Sequence, residues 1–154
     1  MPRPDAGLEA ALDQRRNRLD LERQVLAERE MALRHELEHL AAAEARVRMV
    51  LMQMDAAQQS VPGAPLPVAM IGDLEQLLRW CESQVAVQRE RLEAVRGEAD
   101  AARAAVATAH QAVRALELVL EARAAERAEK VRRAELRDAD EIAARVHQNQ
   151  VTGR

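Results

Sequence analysis

The stretch SVPGAPLPVAMIG, residues 60–72, decides the fold. Pro62, Pro65 and Pro67 each lack an amide donor, and Gly63 and Gly72 sit beside them, so this segment breaks helix. On both sides the chain carries long helical periodicity. Upstream, Leu12, Leu19, Leu26, Leu33, Leu40, Val47 and Met54 recur every seven residues. The second seam position of that repeat falls on Leu37 and Leu51, and on Arg16, Arg23 and Glu30 nearer the start. Downstream, Leu74, Leu78, Cys81, Val85, Gln88, Leu92, Val95, Ala99, Ala102, Val106, Ala109, Val113, Leu116 and Leu120 alternate steps of four and three. That alternation is the sequence mark of a coiled coil. Asp73, followed three residues later by Gln76, reads as the cap that starts the second helix.

The expected fold is therefore all-α: two long helices in an antiparallel coiled-coil hairpin, one domain over residues 1–154. Helix one covers about residues 5–59, the Pro/Gly connection 60–72, and helix two about 73–148. At the usual rise these helices measure about 80 Å and about 115 Å, so helix two should overhang its partner from about Ala125 onward. Past Leu120 the seven-residue repeat gives way to Leu120, Val131 and Ile142, eleven apart, a spacing that relaxes left-handed supercoiling. The last stretch is a mostly polar helix with one thin apolar stripe. Such a helix calls for a socket.

Composition narrows the function classes. Charged residues make up 32% of the chain, and it has no Phe, no Tyr, one Trp and one Cys. A net charge of −3 argues against a general nucleic-acid binder, which needs surplus cation to displace phosphate counterions. The single Cys cannot form an internal disulfide, which suits a reducing compartment. The opening MPRPDAGLEAAL has no signal-peptide pattern, and no apolar run approaches a membrane span. These features predict a cytoplasmic protein.

Three motifs invite a chemical reading. HELEH, residues 35–39, matches the H-E-x-x-H helix of zinc proteases. Leu33, Leu37 and Leu40 hold the seam, however, which turns His35 and His39 to solvent, and no third ligand follows nearby. Cys81 falls on the seam as a small buried hydrophobe with no neighbouring His. KVRRAELR, residues 130–137, is basic, but Asp138, Asp140 and Glu141 follow at once, so it reads as mixed-sign helix surface. No glycine-rich phosphate loop exists. The expectation is a protein without enzyme activity, metal or cofactor.

Trp80 lies off the seam. Leu77, Trp80, Gln84 and Val87 are three or four apart and form a second stripe beside it. On helix one, Met49, Val50 and Met52 are likewise surplus to the seam. Either the connection folds down over Trp80 through Leu66, Val68, Met70 and Ile71, or the stripe is a partner site with Trp80 as anchor.

The whole chain resembles the flagellar export-stalk proteins of bacteria, the FliJ family, with their injectisome counterparts close behind. Two parts carry the resemblance. One is the spacing of Leu77, Leu78, Cys81, Val85, Gln88 and Leu92 after the break. The other is RRAELRDADEIAAR near the C-terminus, a basic pair and then an acidic pair: Arg132, Arg133, Glu135, Asp140, Glu141, Ala143 and Arg145. Members often carry an aromatic where Leu77 stands and a Gln-Lys pair where Leu136 and Arg137 stand.

The resemblance implies a monomeric stalk that couples a hexameric export ATPase to the cytoplasmic domain of the membrane export gate and handles export chaperones. On it, the ring-side residues are Arg132, Arg133, Glu135, Arg137, Asp140, Glu141 and Arg145. The gate-side residues are Leu77, Trp80, Cys81, Gln84, Val87 and Gln88, with Met49 and Val50 of helix one. Neither nucleic acid nor a membrane span enters this picture. The rival from another class is a coiled-coil scaffold that dimerises.

Overall fold

The computed structural model describes residues 4–59 and 62–153. It is a helical hairpin of two elements, α1 (Ala6–Gln58, 53 residues) and α2 (Val68–Thr152, 85 residues), with no strand among the described residues. Asp5 sits at the N-cap of α1, where its carbonyl accepts the Glu9 amide at 2.9 Å. The helix ends at a doubled contact, Gln59 donating to the Asp55 carbonyl and to its side chain, each at 3.0 Å.

The connection is shorter than its prolines suggest. Gly63 turns the chain at φ 92°, a left-handed conformation that only glycine adopts without strain. Helix α2 then begins at Val68, upstream of the Asp73–Gln76 cap expected from sequence. The Ile71 amide already donates to the Pro67 carbonyl at 3.0 Å. Proline is well tolerated at a helix entry, where its missing N–H costs nothing, and a single Gly72 in the first turns costs only about 1 kcal/mol. Ser60 and Val61 lie outside the described residues.

Contacts divide the hairpin into two units: residues 20–108, and residues up to Leu19 with those from Ala109 onward. In the first unit α2 buries Cys81, Val85, Gln88, Leu92, Ala99 and Ala102, and α1 buries Ala43 and Val50, with Leu26, Leu33, Leu40, Val47 and Met54 half-covered between them. In the second, Leu12 and Leu19 of α1 pack with Val113, Leu116 and Leu120 of α2. Every α2 seam residue predicted from Leu74 to Leu120 is at least half-covered.

The second seam position of α1 is a correction. Leu37 and Leu51 are 44% and 48% exposed, whereas Ala43 and Val50 are 3% and 5%. From Glu36 on, the strip facing α2 lies three residues after each primary seam residue, at Glu36, Ala43, Val50 and Ala57, instead of four. The strip four residues on carries Glu30 and Glu44, which reach across to Arg103 (3.3 Å) and Arg89 (3.1 Å) in the residue 20–108 unit. Charge there is more useful at the seam's flank than in it, and small Ala43 lets the helices close together. No large side chain is fully enclosed anywhere among the described residues. A seam between two helices has no room to swallow a Trp.

Candidate functional site

Helical spacing alone places Trp80. It follows Leu78 by two residues and precedes Cys81 by one, so it points away from the seam that those two help line, and it is 55% exposed. Leu77, Val87 and Met49 are exposed with it, and Gln84 is half-buried. The connection does not roof this stripe: Leu66, Val68 and Met70 are themselves exposed, and only Ile71 is half-covered. Three residues assigned to the gate side lie inside the seam, Cys81 and Gln88 as their spacing predicts and Val50 contrary to its reading as surplus. Val50, Cys81 and Gln88 are buried, because each occupies a position whose side chain faces the other helix. Gln88 donates there to Glu36.

The unit containing the C-terminal part of α2 closes on a feature the sequence reading missed. Asp5, Arg123 and Arg127 form an ionic clasp in which the carboxylate is buried and both arginines are exposed, with Arg123 donating to one Asp5 carboxylate oxygen at 3.3 Å and Arg127 to the other. Burial works against the Asp5 charge, but the two guanidinium groups, Arg127 ahead of Arg123, outweigh it and hold its carboxyl below the ordinary 3.8. Nearby, Arg16 bonds Glu117 at 3.0 Å across the helices. That bond, opposed by burial and helped by Arg114, depresses Glu117 too. The signal for the clasp was present in the register. Counting seven back from Leu12 reaches Asp5, and counting three and seven on from Leu120 reaches Arg123 and Arg127. The repeat does not stop at Leu120; its last layers are ionic.

Beyond the clasp α2 goes on alone. From Lys130 to Thr152 every residue of the helix is exposed. Val131, Ile142 and Val146 lie within about 60° of one another around its axis and form the thin stripe expected from sequence. Arg132 and Arg133 both reach back to Glu129, at 2.6 and 2.9 Å, Lys130 to Glu126 at 2.8 Å, and Arg145 to Glu141 at 3.5 Å. Arg137 donates to the Arg133 carbonyl at 3.2 Å. Glu135 and Asp140 are exposed beside them. The basic run is thus largely answered by carboxylates of its own helix, and it offers no cationic track for phosphates.

The zinc-protease match has no site around it. His35 is exposed and lies 3.8 Å from Glu38, and His39 is exposed. Among the described residues no three His, Cys, Asp or Glu are placed to hold a metal ion. Among the described residues no helix is long and apolar enough to cross a membrane.

No curated protein and no solved structure matches the chain significantly. The model of the family described as flagellar FliJ protein matches residues 6–152, which takes in α1 from its first residue and α2 to its last. That agrees with the resemblance carried by the Leu77–Leu92 spacing and the Arg132–Arg145 segment. The chain belongs to the flagellar FliJ family, whose members are components of the flagellar export apparatus and are not a known enzyme family.

Proposed function

We propose that this protein is a monomeric, cytoplasmic, non-enzymatic stalk that couples a hexameric export ATPase to the cytoplasmic domain of the membrane export gate. The observation that carries this reading is the run of α2 from Lys130 to Thr152, fully exposed beyond the Asp5 clasp. A helix that continues beyond its partner gains nothing from tertiary packing, which supplies most helical stability in proteins. A socket that supplies the missing partner surface is therefore the natural complement, and a central opening in an ATPase ring is such a socket. Arg132, Arg133, Glu135, Arg137, Asp140, Glu141 and Arg145 are its ring-side residues.

The gate-side contact falls on Leu77, Trp80, Gln84, Val87 and Met49, where a large exposed aromatic on an apolar stripe has the character of a binding hot spot. Val50, Cys81 and Gln88 support that surface from within the seam. Export chaperones are further partners of the same stalk. Coupling requires that occupancy at one contact change the affinity at the other, and by linkage the effect is reciprocal.

Truncation after Glu129 tests the ring contact. The shortened chain should keep its helicity up to the clasp and bind the gate domain unchanged, while losing stimulation of the hexameric ATPase. Full stimulation by the truncated chain would place the ring contact elsewhere.

A further inference from the structure

In the unit of residues 20–108, the two flanks of the seam differ in charge. One flank is marked by the ion pairs Glu30–Arg103 and Glu44–Arg89. A shallow groove of about 350 Å³ runs there between Glu44 and Arg89, over Val47 and Val85. Its surroundings carry both signs: Glu82 and Arg48 line the same groove. The other flank is the one bearing Trp80. Helical register places Leu77, Trp80, Gln84 and Val87 of α2 on it, with Met49 and Arg46 of α1, because these stand beside the Gln88 and Ala43 side of the seam. None of them lines the groove.

The Trp80 flank carries both signs, with Asp73 one turn before Leu77 and Glu36 bonded to Gln88, but its cations are unanswered. Arg46 and Arg91 are both exposed on it, and neither has an ion-pair partner among the described residues. The one acidic residue in register with them near the connection is Asp73. In a chain of net charge −3, two unanswered arginines bordering the largest exposed aromatic are a local excess of cation. The shape of the surface limits what can fill it. Two parallel-sided helices present a long cleft with ridges at three- and four-residue spacing, and their backbone amides are already spent on one another. No strand edge is available for an extended peptide to join, so the fitting occupant is a third helix.

Taking the Trp80 flank as the gate-side contact proposed above, we infer that it receives one amphipathic helix of the gate's cytoplasmic domain, with carboxylates bordering its apolar stripe. The apolar stripe lies over Leu77, Trp80, Val87 and Met49. The carboxylates pair with Arg46 and Arg91, which fix the direction and register of the incoming helix. Arginine suits this role because its planar fork meets a carboxylate with two parallel bonds.

The test titrates the full chain with the purified gate cytoplasmic domain by isothermal calorimetry at low and high salt, with Trp80 fluorescence as a second readout for the chains that keep the Trp. Hydrogen exchange on both proteins accompanies it. The variants are R46E/R91E and W80A. Both arginines are exposed and Glu matches Arg in helix propensity, so circular dichroism should show an intact hairpin. The expected result is at least tenfold weaker binding for R46E/R91E at low salt. Wild-type affinity should fall on raising salt, and that of the charge-reversed variant should not, because exposed pairs are screened. Protection should appear over one acidic helical segment of the gate domain. If W80A weakens binding while R46E/R91E binds like wild type, or the protected gate segment is not an acidic helix, the inference fails and the gate-side reading stands. If neither variant weakens binding, both fail.

Discussion

Replacing Glu36 and Gln88 together by leucine should make the hairpin more stable and less well specified. Gln88 is 9% exposed between Val85 and Leu92, at 7% and 6%, so a leucine there loses nearly all its contact with water, a gain of about 1.5–3 kcal/mol. Glu36 is half-buried, and leucine in its place gains roughly half as much. Against this stands the hydrogen bond from Gln88 to a carboxylate, worth about 1.5–3 kcal/mol. Leucine, glutamine and glutamate have nearly the same helix propensity, so the local cost cancels. The balance favours the double variant by about 1 kcal/mol.

What the polar pair contributes instead is register. A slide of one heptad would set Gln88 against Arg29 or Ala43, neither of which accepts its amide as Glu36 does. Urea unfolding of the wild type, both single variants and the double variant gives the coupling between the two positions as a cycle. The midpoint of the double variant should rise at unchanged slope, while light scattering should show species beyond the single one of the wild type. A double variant less stable than wild type by more than about 1 kcal/mol would refute the reasoning, because the pair would then outweigh the burial that replaces it.

Trp80→Ala should change stability by less than about 1 kcal/mol, since the side chain is exposed and the Leu78–Cys81–Val85 seam is untouched. It should weaken gate binding by about 2 kcal/mol or more, roughly thirtyfold, and the free protein should show red-shifted, readily quenched emission that turns blue on adding the gate domain. The clasp predicts acid sensitivity. Because the Asp5 pKa is lowered in the folded chain, its stabilising contribution is complete above the ordinary value of 3.8 and is lost as pH falls through the depressed value. Protection of the amides over Leu8–Leu19, measured relative to their intrinsic exchange rates, should therefore fall on acidification from pH 5 to pH 2, and Asp5→Asn should show low protection already at pH 5. An Asp5→Asn profile identical to wild type would remove the clasp from the account.

Much of this architecture could be read from hydrophobic period alone. The seam of α2 from Leu74 to Leu120 and that of α1 from Leu12 to Met54 followed from spacing, because each helix has one partner and must bury one strip against it. The second strip of α1 was not legible in this way. Leu37 and Leu51 look like better core residues than Ala43 and Val50, but closeness of approach and the placement of Glu30 and Glu44 outweigh side-chain size. The start of α2 was misplaced for a related reason, since Pro67 reads as a breaker and serves as an entry. The Trp80 stripe was visible as apolar surface in excess of the seam, yet periodicity could not say whether the connection covered it. The clasp was hidden because charged residues at seam positions look like the end of a repeat. Asp5, Arg123 and Arg127 satisfy one another there, which is what allows the carboxylate to be buried.

The central claim is that one chain binds the ATPase ring and the gate together, and co-capture tests it most directly. The gate's cytoplasmic domain is immobilised, the export ATPase hexamer is offered, and retained ATPase is measured with and without this protein. The full chain should retain the hexamer on the gate surface. Truncation after Glu129 should abolish retention of the ATPase while leaving the truncated chain on the gate, and Trp80→Ala should release both. Equal retention of the hexamer by the truncated chain, or displacement of the chain from the gate when the ATPase is added, would contradict the account.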